Sequence, residues 1–419
     1  MHRRDFLRYM ISAPIAAATF VYGNPFQSIL GLAQESTAKA LVVIFQRGGC
    51  DGLNTIIPYG DGEYYNLRPG ISIAPPGSAQ GALDLVDPTG NQNGLFGMHP
   101  ALAPLHNIYQ QGTVAVLPAV HYDNASRSHF DGQNYIESGS SMRLPDGWLN
   151  RYMATTQNGT FLRGVGFGSS TPHSLRGEVP VSTFSDLNSF VFSDSELTSK
   201  LENVYSQTGS APESYHSMLL EKGDLMLKNL NTLSQIDTEN YFPENGAVYP
   251  SSSYGTQLRQ TVQLIKENVG LEVATVSIGG YDNHSNQGGA TGSQANRHAD
   301  FAGGIAALYN DLGSRMDDVL ILTMSEFGRT AKENASGGSD HGNAAAYFVI
   351  GNNVNGGIYG DWPGLQESNL YRERYLAHNI DFRNVMGEVV DRHFQQAGSI
   401  PSVLPNHSYQ PTGFLPTVI

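Results

Sequence analysis

The sequence predicts an α/β fold with a mostly parallel central sheet and helices on its faces. Short apolar runs rich in β-branched residues recur along the chain, helical segments with one apolar side lie between them, and glycines with polar side chains follow the runs. Continuous apolar runs of this length are typical of strands that are buried on both faces. Strands that alternate with helices indicate a parallel sheet covered by its crossover helices.

Each element of this fold follows from its local pattern. The predicted strands are the five apolar runs at 40–45, 112–120, 271–278, 318–324 and 344–350. The predicted helices, whose apolar residues repeat every three to four positions, are 100–111, 253–268, 293–316 and 382–394. Residues 60–97 are rich in Gly, Pro, Asp and Asn and predict a long loop, whereas 193–233 predicts a polar helical insertion. Because no linker is evident, we expect a single large domain over 34–419.

The first residues predict an export signal. Residues 1–8 (MHRRDFLR) contain the adjacent Arg3 and Arg4, and an apolar stretch at 10–22 follows them. This stretch is shorter than the roughly 18 apolar residues that span a bilayer. With small residues near 31–33, the pattern predicts a twin-arginine signal peptide over 1–33 and export of the folded chain to the periplasm or beyond. The alternative is a basic start to an ordinary buried helix.

The composition excludes some partners. A formal net charge of -14 at pH 7 argues against nucleic acid and against anionic membrane surfaces. Cys50 is the single cysteine, so no disulfide can form within the chain, in agreement with folding in a reducing cytoplasm before export. No segment after the predicted signal is long and apolar enough to span a membrane, so we expect no transmembrane segment in the mature protein.

Polar side chains at the ends of the predicted strands indicate a metal site. In open α/β sheets, ligands bind beyond the carboxyl ends of the strands. Taken singly, such residues more often cap helices or form turns. Their recurrence at successive strand ends predicts a shared site of carboxylate oxygens and imidazole nitrogens, which suit zinc, manganese or iron. The residues concerned are Asp51, His129, Asp282, His284, Glu326, Asp340 and His341.

Five motifs along the chain resemble a known family. They are residues 47–54 (RGGCDGLN), 128–130 (SHF), 281–284 (YDNH), 325–330 (SEFGRT) and 340–342 (DHG). Together they resemble the DUF1501 family of secreted bacterial proteins, which is similar in turn to the alkaline phosphatase and sulfatase superfamily. The resemblance implies a three-layer α/β/α sandwich of the alkaline phosphatase type, with two divalent metal ions and a serine, threonine or formylglycine nucleophile.

The resemblance also implies metal ligands, residue by residue. Asp51 matches the metal-binding aspartate after the first strand, and Glu326 matches the carboxylate of the second metal site. The first metal site is matched by Asp282, His284 and His341. We therefore expect one or two divalent ions, with zinc favoured and manganese, calcium or magnesium as the other candidates.

Two departures from the superfamily pattern leave the second metal site open. The superfamily has a histidine directly after the second-site carboxylate, whereas this chain has Phe327, and the 340–342 triplet follows a loop rather than a strand. Either His129 or Asp340 could complete the second site, or a single metal ion binds.

The implied nucleophile is Ser128 or Ser126, at the start of the helix after the second strand. The serine alkoxide would attack phosphorus or sulfur and form a covalent intermediate. The remaining ester oxygens would be held by the guanidinium fork of Arg127, Arg47 or Arg329.

The sequence therefore predicts an exported metal-dependent hydrolase of phosphate or sulfate esters, with a small molecule or an extracellular polymer as substrate. One alternative is a non-catalytic binding or assembly protein that keeps the fold. Another is a metal-dependent isomerase or mutase, because one fold supports several reactions. The oligomeric state is left open.

Overall fold

The computed structural model describes residues 39–156, 161–190 and 240–417, together with 223, 232, 233 and 236–238. The predicted signal peptide at 1–33 lies outside the described residues, as does most of the predicted helical insertion at 193–233. Within the described residues, no helix is both long enough and apolar enough to cross a membrane.

A large mixed sheet forms the centre of the protein. The described strands are β1 (Ala40–Gln46), β2 (Ile56–Ile57), β3 (Leu83–Asp84), β4 (Gly97–Met98), β5 (Val114–His121), β6 (Gly164–Phe167), β7 (Ser182–Phe184), β8 (Val273–Ile278), β9 (Val319–Met324), β10 (Ala345–Ile350), β11 (Gly357–Ile358) and β12 (Ile380–Asp381). The large sheet has the spatial order β11, β5, β10, β9, β1, β8, β6, β7, with β12 beside β5. Neighbouring strands are parallel except at β10, which is antiparallel to β5 and β9. The prediction of a mostly parallel sheet is confirmed.

The four predicted helices are present, and further helices that were not predicted accompany them. The described α-helices are α1 (Gly62–Leu67), α2 (Ala103–Tyr109), α3 (His129–Ser138), α4 (Trp148–Thr155), α5 (Ser253–Lys266), α6 (Ser293–Leu312), α7 (Phe382–Glu388) and α8 (Ile400–Val403). Ser252 begins α5 as its N-cap, because its hydroxyl accepts a hydrogen bond from the backbone N–H of Gly255 at 3.1 Å. After α7 the chain continues in one wider π-helical segment, Val389–His393.

Strand β1 shows that both faces of the sheet are covered. All of its residues are buried. Val42 and Ile44 belong to one apolar cluster with residues of α2, α5 and α6, whereas Val43 and Phe45 belong to a second cluster with residues of α3, α4 and α7. Alternate residues of a strand point to opposite faces, so the two clusters are the two sides of the sheet. The architecture is the predicted three-layer α/β/α sandwich.

One edge of the sheet gathers the polar residues, and the strand directions explain why. Strands β1, β5, β8 and β9 run in the same direction, so their carboxyl ends meet at one rim. Strand β10 runs the other way, so its amino end reaches that same rim. The 340–342 triplet directly precedes β10 and therefore arrives at the rim, although it follows a loop.

Two parts of the fold differ from the prediction. The short strands β6 and β7, the last two strands at one end of the large sheet, were not predicted, because four and three residues are too few for a clear pattern. Residues 60–97, predicted as one long loop, contain α1 and β3, and β4 begins at Gly97. Strands β2, β4 and β3 form a small antiparallel sheet there.

Candidate metal centre

A hairpin extension between β9 and β10 brings two of the sequence motifs together. Its backbone hydrogen bonds run from Gly328 N to Asn343 O and from Gly342 N to Gly328 O, both 2.8 Å. A Cβ on Gly342 would lie 2.1 Å from the carbonyl of Arg329, and one on Gly328 would lie 1.8 Å from the carbonyl oxygen of Ala344. Both positions therefore require glycine, and this close pairing sets Arg329 opposite His341.

Four side chains converge at the rim around Asp282, and we call His129, Asp282, His284 and His341 the His/Asp cluster. One ligand atom each of His129, Asp282 and His341 lie within 4.8 Å of one another. Asp282 Oδ1 lies 3.1 Å from Nε2 of His284 and 3.3 Å from Nε2 of His341. Its Oδ2 lies 3.4 Å from Nε2 of His129. The imidazole nitrogens that approach Asp282 are all Nε2 atoms.

Arg329 fixes the carboxylate at the centre of the cluster. This buried guanidinium donates to Asp282 Oδ1 at 2.7 Å, and also to the carbonyl oxygens of Gly49, Tyr281 and Ser339 at 2.6, 3.1 and 3.1 Å. Partial burial alone would raise the pKa of Asp282, but the hydrogen bond and charge of Arg329 outweigh it and hold the pKa below its usual value. Asp282 is therefore an anion with a fixed orientation.

Glu326 orients His129 from behind. Its fully buried carboxylate accepts from Nδ1 of His129 at 2.7 Å, from Nε2 of Gln133 at 3.0 Å and from the backbone N–H of Gly48 at 2.9 Å. Burial raises the pKa of Glu326, but these hydrogen bonds bring it below its usual value, and the bond to Glu326 raises the pKa of His129. His129 Nε2 is buried, faces Asp282 and has no hydrogen-bond partner within the described residues.

The other two imidazoles are held in the same way. His341 Nδ1 donates to the carbonyl oxygen of Arg127 at 2.8 Å, and His284 Nδ1 donates to Asp340 Oδ1 at 3.1 Å. All three histidines thus have Nδ1 bonded to an oxygen and Nε2 facing Asp282. Outer oxygen partners of this kind are typical of metal-binding histidines, because they fix the tautomer and the ring orientation.

Phe327 occupies the position where the superfamily pattern has a histidine. Its ring is fully buried, and its centroid lies 4.9 Å from the ring of His129 and 4.9 Å from that of His341. The side chain therefore supports both imidazoles by packing rather than supplying a ligand atom.

Asp51, predicted as a metal ligand, lies in a buried ion pair with Arg68. Its two carboxylate oxygens accept from Nη1 and Nη2 of Arg68 at 2.6 and 3.0 Å, and Gln287 Nε2 donates to it at 2.6 Å. Both partners of the pair are almost fully buried. The structure therefore brings Asp282, His284, His341 and His129 together, places Glu326 and Asp340 behind them, and gives the carboxylate of Asp51 other partners.

The predicted nucleophile segment borders the cluster. Ser128 is exposed and precedes the first residue of α3, while the hydroxyl of Ser126 lies 3.4 Å from the carboxylate of Asp131. The guanidinium of Arg127 lies 4.7 Å from the ring centroid of Tyr375. Arg47 and Arg329 were the other two arginines predicted to hold the ester oxygens. Arg47 pairs with Glu137 at 3.2 Å, and Arg329 donates to Asp282 and to backbone carbonyl oxygens.

Two features of the site were not predicted. Gln133 lies four residues after His129 on α3, and this spacing, which places both on one helix face, was the available signal. A cavity of about 600 Å³ lies beside the cluster, and its wall includes Asp340, which accepts a hydrogen bond from His284. No sequence pattern marks the cavity, because its wall is assembled from three separate segments of the chain. The residues of the wall are Glu63, Leu67, Thr330, Lys332, Glu333, Asn334, Asp340, Leu365, Glu367, Leu370, Glu373 and Arg374.

A family model described as "Protein of unknown function (DUF1501)" matches residues 146–405, more than half of the chain. The chain belongs to the DUF1501 family. The matched range contains Asp282, His284, Glu326 and His341, whereas His129 lies before it. Comparison of this DUF1501 protein with curated proteins found no match.

Solved structures show only distant likenesses to this DUF1501 protein. Ps i-CgsB has 10% identity over 90% of this chain and 75% of its own, with a TM-score of 0.37. The structure of Ps i-CgsB in complex with k-i-k-neocarrahexaose has 11% identity over 86% of this chain and 72% of its own, with a TM-score of 0.35. The lipoteichoic acid synthase LtaP from Listeria monocytogenes has 9% identity over 86% of this chain and 72% of its own, with a TM-score of 0.30. Likenesses at these TM-scores are too distant to identify a function.

Proposed function

We propose that this DUF1501 protein is an exported, metal-dependent hydrolase of phosphate or sulfate esters, and that the His/Asp cluster holds one divalent cation. One observation supports the proposal above all others. Three imidazoles from separate parts of the chain have Nδ1 bonded to an oxygen, and all three turn Nε2 toward the single carboxylate of Asp282.

The donor set fits zinc better than the other candidates. Three imidazole nitrogens and one carboxylate oxygen are ligand types that zinc takes; with all four bound, the ion would have to expand to five-coordinate to accept an ester oxygen or water, as catalytic zinc sometimes does. Calcium and magnesium prefer oxygen ligands throughout. A single ion is favoured over two, because the carboxylate of Asp51 is paired with Arg68 and that of Glu326 is hydrogen-bonded to His129.

The chemistry of such a site is electrophilic. A bound divalent cation would polarise an ester oxygen and increase the acidity of water or a hydroxyl beside it. Arg329 keeps the Asp282 carboxylate in place during the reaction, and Glu326 keeps His129 in one orientation. Arg127 supplies a guanidinium that lies over the ring of Tyr375, and the following residue, Ser128, is exposed. The oxygen of the serine hydroxyl or of water would form a new bond to phosphorus or sulfur while the bond to the ester oxygen breaks, and the alcohol would leave with the proton that the attacking group gives up; a serine ester formed in this way would then be cleaved by water.

Metal analysis and an ester panel test the proposal together. We expect purified protein to hold about one zinc per chain, and to hydrolyse p-nitrophenyl phosphate, bis(p-nitrophenyl) phosphate or p-nitrophenyl sulfate. A chelator and His341→Ala should each abolish hydrolysis, whereas His407→Ala, outside the cluster, should not. A protein that binds none of zinc, manganese, calcium or magnesium, and that stays inactive when they are added, would contradict the proposal.

The serine mechanism is a separate part of the proposal. Ser128 and Ser126 supply the hydroxyls nearest in sequence to His129. Replacement of both by Ala should abolish turnover while the bound metal is retained. If turnover survives in the double variant, the attacking group is water and the serine mechanism is wrong.

Export is proposed from the sequence of residues 1–33. Arg3→Lys together with Arg4→Lys should retain the protein in the cytoplasm, because the twin-arginine route reads the arginine pair. Unchanged export of this variant would contradict the assignment of the route without affecting the proposed chemistry.

A non-catalytic binding protein is the second candidate. The hydroxyl of Ser126 faces Asp131, which is itself paired with Arg143, so this acid is neutralised rather than placed to accept a proton. Full zinc occupancy with no turnover of any ester in the panel would favour this candidate over the hydrolase.

A further inference from the structure

The cavity beside the His/Asp cluster is the place where the rest of a substrate would lie. Asp340 joins the two features, since its Oδ1 accepts from His284 while the residue also lines the cavity. The cavity volume of about 600 Å³ accommodates a sugar-sized group. An ester held at the cluster would therefore extend its alcohol portion past Asp340 into this space, a placement that rests on the proposed function.

The wall of the cavity is acidic. It contains five carboxylates and two cations, which leaves three negative charges without a counterpart; the carboxylates are Glu63, Glu333, Asp340, Glu367 and Glu373. Nη2 of Arg374 lies 3.5 Å from Oδ2 of Asp340, so this cation already pairs with one of the five carboxylates. Lys332 is the other cation, and it is exposed.

Two of the acids are available to a ligand. Glu333 is occupied, because its carboxylate accepts from the backbone N–H groups of Gly70 and Ile71 at 2.9 to 3.0 Å. Glu367 and Glu373 are exposed, and their carboxylates make no hydrogen bond or ion pair within the described part of the chain. Because opposite charges attract and like charges repel across such a space, this wall favours a cationic group and disfavours a second anion.

We infer that the alcohol portion of the substrate carries an amine, as an amino sugar does. The amine has the carboxylates of Glu367 and Glu373 in the wall, whereas the side chains of Thr330 and Asn334 are already hydrogen-bonded within the protein. A polymer with an anionic group on each sugar is disfavoured, because a second anion would meet the uncompensated carboxylates.

Three sugar phosphates that differ in charge away from the ester test this inference. The sugar portion of glucosamine 6-phosphate carries an amine, that of glucose 6-phosphate carries no charge, and that of 6-phosphogluconate carries a carboxylate. Binding to the purified full-length protein, with and without zinc, is measured by calorimetry and turnover by phosphate release. We expect the amine compound to bind about fivefold more tightly than the neutral one, the order expected for two exposed ion pairs. The carboxylate compound should bind most weakly.

A charge-neutral variant of the wall provides the matched comparison. Glu367→Gln with Glu373→Gln should bring the three affinities to within about twofold of one another, the scale of weak exposed pairs. Glu178→Gln with Glu267→Gln removes two exposed acids that do not line the cavity and should preserve the order. Equal affinities in the native protein, tightest binding of 6-phosphogluconate, no binding of glucosamine 6-phosphate, or an unchanged order in the Glu367/Glu373 variant would each overturn the inference.

Failure of the inference and failure of the proposed function give different results. If glucosamine 6-phosphate binds most tightly but none of the three is hydrolysed, the inference about the cavity stands and the hydrolase proposal is weakened. If all three are hydrolysed with equal affinity, the hydrolase proposal stands and the inference is wrong.

Discussion

Nε2 of His284 and Nε2 of His341 lie 3.0 Å apart, and both face Oδ1 of Asp282. Since each ring has its Nδ1 bonded to an oxygen, the proton of a neutral ring is on Nδ1. Two lone pairs then face each other beside a carboxylate, an arrangement that is unfavourable unless a proton or a cation lies between them. The arrangement therefore favours a proton or a cation between the two rings.

The first prediction concerns His341→Ala. Zinc at 100 times its dissociation constant should raise the free energy of unfolding of the native protein by about 2.7 kcal/mol. The variant should lose this gain, because it removes a ligand, while its stability in chelator should not fall. Denaturant unfolding with and without zinc measures both quantities. A zinc-dependent gain that persists in the variant would show that the ion binds elsewhere.

The second prediction concerns Glu326→Gln. The amide no longer fixes Nδ1 of His129 as a carboxylate does, and loss of such an outer partner typically weakens metal affinity by roughly 10 to 100-fold. Competition with a chromogenic chelator measures the change. Glu137→Gln is the matched control, because Glu137 is a buried acid on α3 that pairs with Arg47. Equal zinc affinities for the two variants would contradict a role for Glu326 behind His129.

The third prediction separates a structural role of Asp51 from metal binding. Asp51→Asn should lower the free energy of unfolding by about 3–5 kcal/mol, because it leaves the buried charge of Arg68 uncompensated. Zinc stoichiometry should stay at one per chain. Asp51→Asn with Arg68→Met should recover part of the loss, because the unpaired charge is then absent. A drop in zinc stoichiometry with little change in stability would instead make Asp51 a ligand.

The fourth prediction is a pH dependence of stability that originates at His121. This side chain is buried at the end of β5, its Nε2 has no hydrogen-bond partner within the described residues, and burial lowers its pKa to about 3. In the unfolded chain the pKa of a histidine is about 6.5, so the unfolded state takes up the proton first as the pH falls. The stabilisation that neutral His121 provides is therefore fully present above about pH 6.5 and is lost progressively as the pH falls toward 3.

The variant His121→Phe checks this dependence. At pH 5 the native protein should have lost about 2 kcal/mol through His121 relative to pH 7. The variant should lack this component, so its loss of stability between pH 7 and pH 5, measured by denaturant unfolding, should be smaller by that amount. The same loss in both proteins would contradict the assignment to His121.

Much of the fold follows from local sequence patterns. The five long strands were predictable because each is a continuous apolar run, and a strand buried on both faces cannot alternate with polar residues. The rim was predictable because carboxyl ends of parallel strands meet. Strand β10 shows the limit, since no local pattern distinguishes a strand that joins such a sheet antiparallel to its neighbours.

The sequence indicates which acids and histidines lie near the rim, but not which partner each of them contacts. Glu326 follows a strand in the same way as Asp282, and only the structure shows that its carboxylate accepts a hydrogen bond from Nδ1 of His129, the ring nitrogen that faces away from Asp282. Asp51 was assigned to the metal because it follows β1. Its partner Arg68 comes 17 residues later in an aperiodic segment, so the ion pair had no signal in the sequence.

The reversed direction of β10 has a consequence for how this site can vary. Because β9 ends at the rim and β10 begins there, the connection between them starts and finishes beside the cluster and contributes Thr330, Lys332, Glu333 and Asn334 to the cavity wall. Insertions or replacements in that connection would reshape the neighbouring recess while the paired backbone at Gly328 and Gly342 keeps Arg329 and His341 in register. The topology thus separates the proposed recognition surface from the proposed metal centre, and the two can diverge independently.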